Sequence, residues 1–377
     1  MKIVYIANAG SVHFIRWYEY FINRGHQVYL ISSSPAILEY KIDIKGLKTF
    51  YLPDYKTHNR KLNFVINTIR LPIILNKIKK IIKQINPDIL HAHQVYAEGF
   101  WAALTGFHPL IITPMGADVD TLAYQYYIYR KISKFVLKKA DLVTQDSLTG
   151  KTHCINFGMK SPFELIQNGV DTKHFKCEKN NFIREKLGIA ESDPVVFYAR
   201  GFVELYNADK IIEAIPIILK TLPNCKFIFS RHASDVAEDL KAQELIKRMG
   251  LEKSVFFTGF IHHKEMPLYF QSADFYISVP KIDNSPCSVY EAMASGVPVI
   301  LSKLPWTEYA MRDRENTYML ENITSENIAE AVINLYKNKT LRDKIIKNAL
   351  ATIEEKFSYQ KNMKRMEELM LGLIRKS

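Results

Sequence analysis

The chain has 377 residues, 47% of them hydrophobic and 24% charged, which is enough for two domains with separate cores. No uncharged apolar run approaches the length of a membrane span, and the start, Met1-Lys2-Ile3-Val4-Tyr5-Ile6, is too short and too quickly polar for a secretory signal, so a cytoplasmic protein is expected. The net charge of +12 is uneven: residues 1–174 carry 22 Lys and Arg against 12 Asp and Glu, the remainder 29 against 27. A basic first half suits an anionic partner such as a membrane surface (here the inner face of the plasma membrane), an acidic glycan or a lipid-linked diphosphate; a solvated Lys-rich surface is the plainer account. Nucleic acid is not among the expected partners. The four cysteines, Cys154, Cys177, Cys225 and Cys287, form no C-x-x-C pair, which argues against a disulfide framework or a structural zinc site.

Taken in order, Lys2 to Ala7 and Val28 to Ser32 read as strands around a helix at Phe14 to Asn23. The loop Asn8-Ala9-Gly10-Ser11-Val12 follows the first strand, on the edge where parallel sheets bind ligands. It has one glycine and not the G-x-G-x-x-G of a dinucleotide fold. Leu62 to Ile85 is a basic amphipathic helical stretch that Pro72 is expected to break in two. Asp88 to His91 and Leu110 to Thr113 are strands, the second leading to Pro114-Met115-Gly116-Ala117-Asp118. Tyr124 to Lys139 is aromatic and then basic, read as a core-facing aromatic stripe with a solvated basic face in preference to a membrane helix. Strands at Leu142 to Thr144 and Phe163 to Ile166 and a turn at Asn168 to Asp171 close the first half.

A polar stretch at 173–193 is expected to be an interdomain linker with a short helix. Strand and helix then alternate again, with strands at Val195 to Tyr198, Lys226 to Phe229, Val255 to Thr258 and Phe275 to Ser278. Helices at Ser325 to Asn338, Thr340 to Lys356 and Tyr359 to Arg375 finish the chain. Alternation in both halves predicts two doubly wound α/β domains: 1–172, joined by the last helix at about 358–377, and 194–357.

The most informative stretch runs from Lys281 to Glu308. Ser285 and Pro286 suit the cap and first position of a helix that ends at Gly296, followed by a buried strand at Val297 to Leu301. Asp283 precedes this helix and Glu291 lies one turn inside it. Free amides and a positive dipole end flanked by carboxylates can hold an anion beside hydroxyls, the two features of a sugar nucleotide.

Asp283-Asn284-Ser285-Pro286, Glu291-Ala292-Met293-Ala294, Gly296 and Pro298-Val299-Ile300 resemble the E-x7-E signature of the retaining family-4 glycosyltransferases of the GT-B fold, with Asp in place of the first Glu. Gly25-His26, Ala140-Asp141, Asn168-Gly169-Val170-Asp171, Gly259, Ala273-Asp274 and Glu308 fall in the family's order. The resemblance implies two Rossmann-like domains facing across a cleft. It implies a hexosyl transferase that takes a nucleoside-diphosphate sugar, most often UDP- or GDP-linked, and a glycan or lipid-linked acceptor, as in the synthesis of cell-surface polysaccharide or glycoconjugate. It implies no cofactor and no metal. Glu291 would hold ribose hydroxyls and Asp283 the donor sugar. Arg200, with Arg231 and the Ser288 and Val289 amides, would hold the diphosphate, and Gly259 would lie nearby. Gly10 and Ser11 would let the first loop approach the donor, while Asp118 and His13 would face the acceptor. Where members commonly have a Lys this chain has Tyr206, and where they often have a His it has Met115. His13, His91 and His93 are candidates for the missing imidazole. Asp118-x-Asp120, His91-x-His93 and His262-His263 look like metal ligands but lack a third ligand at regular spacing. The rival readings are a non-catalytic sugar-nucleotide binder and a sugar-nucleotide epimerase of the same fold.

Overall fold

The structure is a computed structural model that describes residues 1–9, 11–32, 44–52, 60–116, 118–231 and 234–376. The chain divides into two compact units, Met1–Gln167 with Lys361–Ser377, and Asn168–Gln360.

The first unit holds seven strands: β1 (Lys2–Ile6), β2 (Gln27–Ser32), β3 (Lys48–Tyr51), β4 (Ile89–His93), β5 (Leu110–Thr113), β6 (Leu142–Gln145) and β7 (Phe163–Leu165). They form one parallel sheet in the order β3-β2-β1-β4-β5-β6-β7, so the order reverses between β1 and β4. Strands β4, β5 and β6 are buried along their length, as expected of a sheet covered on both faces. The helices are α1 (Val12–Asn23), α2 (Arg60–Ile85), α3 (Ala97–Thr105), the one-turn α4 (Ala123–Gln125), α5 (Tyr127–Lys139) and α6 (Leu148–Asn156).

Helix α2 is continuous through Pro72, contrary to expectation. Pro72 sits on the exposed side, and burial of Ile74, Ile78, Ile81 and Ile82 against the sheet outweighs one lost backbone bond. The aromatic stretch also differs. Tyr124, Tyr126 and Tyr127 are exposed, and the face of α5 that enters the core carries Ser133, Val136 and Leu137. Helices α2 and α5 both flank α3.

The second unit holds six strands: β8 (Val195–Tyr198), β9 (Lys226–Phe229), β10 (Val255–Phe257), β11 (Phe275–Ser278), β12 (Val299–Ser302) and β13 (Tyr318–Leu320). All pair in parallel in the order β10-β9-β8-β11-β12-β13, with the reversal between β8 and β11. The helices here are α7 (Phe182–Leu187), α8 (Ala208–Thr221), α9 (Val236–Arg248), α10 (Met266–Ser272), α11 (Cys287–Ala294), α12 (Ser325–Lys337) and α13 (Lys339–Thr352).

Residues 173–193, expected as a linker, pack within this unit. Arg184 on α7 is buried, donates to the carbonyls of Ser272 and Asp193, and pairs with Asp274 at 2.6 Å. Val170 pairs with Ser358, and the Gly169 backbone, at φ +64°, lies so close to Phe357 and Tyr359 that a Cβ there would meet their backbone atoms. The last helix, α14 (Tyr359–Ile374), packs into the first unit through the nearly buried Glu367, which accepts from His26 at 2.7 Å.

Candidate functional site

The densest chemistry lies at the carboxyl edge of the second sheet. Strands β8 and β11 are neighbours, with Tyr276 beside Phe197, so the segments leaving both strands emerge where the strand order reverses. That is where open α/β sheets bind ligands. Arg200 follows β8 and Asp283 follows β11, and Arg200 Nη1 donates to Asp283 Oδ2 at 2.7 Å. Both side chains are mostly buried, 14% and 16% exposed. Burial works against the Arg200 charge, but Asp283 outweighs it, and the guanidinium is held protonated more firmly than usual.

Tyr206 closes the short 3-10 turn Glu204–Tyr206, and its ring lies 4.0 Å from the Arg200 guanidinium carbon. The position that the resemblance fills with a second cation is therefore filled by a platform that holds the first. Asn207, at φ +52°, starts α8 and donates to the Val279 carbonyl at 2.8 Å, which ties this turn to the end of β11.

Helix α11 begins at Cys287, one residue later than expected, with Pro286 in the capping position at φ −73°, ψ 103°. The Ser285 hydroxyl lies 3.3 Å from the Tyr290 hydroxyl. The Val289 amide donates to the Pro286 carbonyl at 3.0 Å, so it is not the free anion donor expected of it. Ser288, the second residue of the helix, keeps an amide without an intrahelical acceptor, and its side chain lies beside the buried phenol of Tyr276. The helix ends at Gly296, φ +71°, where a Cβ would stand 2.3 Å from Cys177 Sγ.

Glu291 is 7% exposed, and its Oε1 lies 3.3 Å from His263 Nε2. The His263 ring stacks on His174 at 5.4 Å, with His174 Nε2 3.2 Å from the His263 carbonyl oxygen. The sequence reading missed this pair: His263 drew notice only as half of a His-His doublet, and His174 lies 89 positions away.

Arg231 turns elsewhere. Its Nε lies 3.1 Å from Asp239 on α9, and its guanidinium covers the Phe257 ring at 4.4 Å. The expected second phosphate cation is thus already paired with a carboxylate and stacked on an aromatic ring. Gly259, at φ +68°, accepts the Arg231 amide at 3.0 Å and shapes the loop that leads to His263.

The first unit places its candidates differently. Ser11 stands at the start of α1 with no side-chain cap bond, His13 falls within α1, and Gly10 lies outside the described residues. Asp118 does not face an open acceptor surface. It is 5% exposed, and its carboxylate takes the amides of Val95 at 2.7 Å, Met115 at 2.9 Å and Val119 at 3.1 Å. Burial pushes its carboxyl up to about 7, while the amide donors pull the other way. Its evident work is to tie the loop after β4 to the loop after β5.

His91 and His93 are fully buried among Tyr5, Phe14, Trp17 and each other, and burial lowers both imidazoles, that of His91 to about 3. His91 Nε2 reaches Thr113 Oγ1 at 2.7 Å. Neither is an exposed replacement for the imidazole missing at Met115.

Comparison with known proteins agrees with this architecture. The family described as "Glycosyl transferases group 1" matches residues 179–352, and "Glycosyl transferase 4-like" matches residues 2–147. The chain belongs to the family-4 glycosyltransferases of the GT-B fold. It is 21% identical over 368 residues to an N-acetyl-alpha-D-glucosaminyl L-malate synthase of Bacillus anthracis, covering 93% of this chain and 91% of that one. It is 20% identical over 373 residues to an alpha-monoglucosyldiacylglycerol synthase of Acholeplasma laidlawii, covering 94% and 90%. Among solved structures, HepE of Anabaena in complex with UDP superposes with a TM-score of 0.78 at 18% identity, covering 99% of this chain and all of that one.

Proposed function

We propose that this glycosyltransferase moves a hexosyl group from a nucleoside-diphosphate sugar, UDP- or GDP-linked, to a glycan or lipid-linked acceptor with retention at the anomeric carbon, in the synthesis of a cell-surface polysaccharide or glycoconjugate. The observation that carries the reading is the Arg200–Asp283 pair on its Tyr206 platform, at the sheet reversal and in the loops next to the start of α11. In this reading a diphosphate lies against Arg200 and the Ser288 amide, Glu291 holds the ribose hydroxyls, and Asp283 holds the donor sugar. The leaving phosphate helps take the acceptor proton, and the protein places groups and stabilises charge. UDP-linked donors are favoured by HepE, solved with UDP, with UDP and glucose, and with UDP-glucose. The two curated relatives are named as synthases of a glucosaminyl malate and of a glucosyl diacylglycerol, which supports a hydroxyl-bearing small or lipid acceptor.

The test is a thermal-shift panel with UDP-, GDP-, ADP- and TDP-sugars, followed by proton NMR of the product's anomeric signal. A donor at 100 times its Kd should add about 2.7 kcal/mol of stability. Binding of a donor that never turns over with any acceptor would favour the binder reading, and a product epimerised at carbon 2 the epimerase reading.

The same reading places the first unit against an anionic lipid surface at the inner face of the plasma membrane. Helix α2 carries seven Lys and Arg and α5 five, and neither has an Asp or Glu. Lys77, Lys79, Lys80 and Lys83 on α2 and Lys131, Lys134, Lys138 and Lys139 on α5 are exposed, with Ile69, Ile73, Tyr127 and Ile128 exposed on the same two helices. Each cation near such a surface contributes about 1 kcal/mol. No helix among the described residues is long and apolar enough to cross a membrane. Co-sedimentation with phosphatidylglycerol vesicles, and its absence with phosphatidylcholine vesicles, is the expected result.

A further inference from the structure

A second polar constellation lies in the first unit, outside the groups used so far. Asp120 is in the wide turn Asp118–Leu122 after β5, Tyr124 is in α4, and His153 and Asn156 are in α6, which follows β6. The connections after β5 and β6 meet there, and they leave the carboxyl edge of the sheet, the edge on which α/β sheets bind ligands. Tyr124 Oη lies 2.7 Å from His153 Nδ1, and His153 Nε2 lies 3.8 Å from Asp120 Oδ1. Asn156 Nδ2 lies 3.4 Å from the same Tyr124 oxygen. The carboxylate stands behind the imidazole and the imidazole behind the phenol. Asp120 and His153 are mostly enclosed, at 15% and 23% side-chain exposure, whereas Tyr124 is 42% exposed.

Asp120 lies 3.8 Å from His153 Nε2, too far for a hydrogen bond, but its charge favours the proton on that nitrogen, the tautomer in which Nδ1 accepts from the Tyr124 hydroxyl. The Tyr124 oxygen then accepts from Asn156 Nδ2 at 3.4 Å and holds that exposed amide, which keeps a second N–H and a carbonyl oxygen side by side. A hydrogen-bond acceptor beside a donor is the pair that neighbouring sugar hydroxyls require, since each hydroxyl both gives and takes a proton. Tyr126, 50% exposed, places a further aromatic ring two residues from Tyr124. Such a face suits the C–H side of a pyranose ring.

We infer that Tyr124 and Asn156 form a subsite for vicinal hydroxyls of a pyranose in the acceptor, with His153 and Asp120 as positioning residues that fix the Tyr124 proton. The inference rests on the proposal that a hydroxyl-bearing glycan or glycolipid receives the glycosyl group. It gives the first unit a specific contact with the acceptor, which the enclosed Asp118 does not make.

The experiment uses the full chain and methyl α-D-glucopyranoside and methyl α-D-mannopyranoside as probes, read by saturation-transfer difference NMR, with UDP and GDP titrations on the same samples. Wild type should bind at least one glycoside. Tyr124→Phe, which keeps the ring, should raise its Kd about 5-fold, the loss expected of one neutral hydrogen bond. UDP affinity and Tm should not move. His153→Gln, whose carbonyl can still take the Tyr124 proton, should keep the wild-type Kd, and His153→Leu should match Tyr124→Phe. Asn156→Ala provides a second, independent loss. Failure of wild type to bind either glycoside, or equal binding by Tyr124→Phe, overturns the inference. Loss of nucleotide binding with glycoside binding intact would instead remove the donor reading and leave this subsite standing.

Discussion

Replacing Asp283 by Asn should tighten the binding of UDP while impairing transfer of the sugar. In the unliganded protein the Asp283 carboxylate holds Arg200 at 2.7 Å, and the same carboxylate repels a diphosphate brought to that arginine. At a separation of roughly 6 Å and an effective dielectric near 20, one pair of unit charges repels by about 3 kcal/mol. Salt and water at the crevice remove part of this. The Asn side chain still accepts from Arg200 but holds it less firmly, an offset of about 1 kcal/mol. The net is about 1–2 kcal/mol, or roughly a 5- to 30-fold lower Kd for UDP. Calorimetric titration of UDP into wild type and Asp283→Asn, near physiological salt, reads this directly. The neutral side chain is a weaker partner for the sugar hydroxyls, so turnover of the UDP-sugar should fall in the same variant. A folded Asp283→Asn protein that binds UDP no better than wild type would refute the argument, because it would mean that Asp283 acts on the nucleotide only by placing Arg200.

Tyr206→Phe should leave UDP affinity within about 2-fold of wild type, whereas Tyr206→Ala should weaken it by roughly 3- to 30-fold, the range of one cation–π contact; equal losses in both would assign the effect to the hydroxyl. Replacing Lys131, Lys134 and Lys138 together by Gln should weaken binding to anionic vesicles by about 3 kcal/mol, on the order of 100-fold, with no change in UDP titration. Asp118 gives a pH test. Its folded carboxyl is raised from 3.8 to about 7, so between those values the folded state binds more protons than the unfolded one and its stability falls as pH rises. The Tm advantage of wild type over Asp118→Asn should therefore shrink from pH 5 to pH 8; a widening gap would show that the amides of Val95, Met115 and Val119 outweigh burial.

Much of the architecture is legible because central strands such as Leu110–Thr113 and Val195–Tyr198 are buried along their whole length and read as short, mainly apolar runs. The pieces that escape are marginal ones. Lys48–Tyr51 is a four-residue edge strand, with its end residues exposed and its middle only partly buried. Tyr318–Leu320 is three residues long. Pro72 misleads because propensity is local, while the isoleucines that hold α2 are paid for by contacts with the sheet. At the site, Asp283, Glu291 and Arg200 follow from motif order. The Tyr206 stack, the His263–His174 pair and the diversion of Arg231 to Asp239 depend on which side chains meet across loops, and no spacing encodes that.

The two electrostatic features of the chain differ in kind. The surplus of positive charge belongs to the first half, and much of it sits on α2 and α5, where exposed lysines stand without a carboxylate on either helix. Charge of that type acts collectively and is screened by salt. The crevice in the second unit owes little to net charge, since residues 175–377 carry only two more basic than acidic side chains. In the proposed reading, its selectivity for an anion beside hydroxyls would come from one arginine held between a carboxylate and an aromatic face, one amide in the first turn of a helix, and an enclosed glutamate. Those groups are mostly buried and fixed at short range, so salt should disturb them much less. If both proposals hold, raising the ionic strength should therefore detach the protein from anionic vesicles at concentrations that leave the UDP titration almost unchanged, because the first contact would rest on screened surface charge and the second on short-range, mostly buried groups.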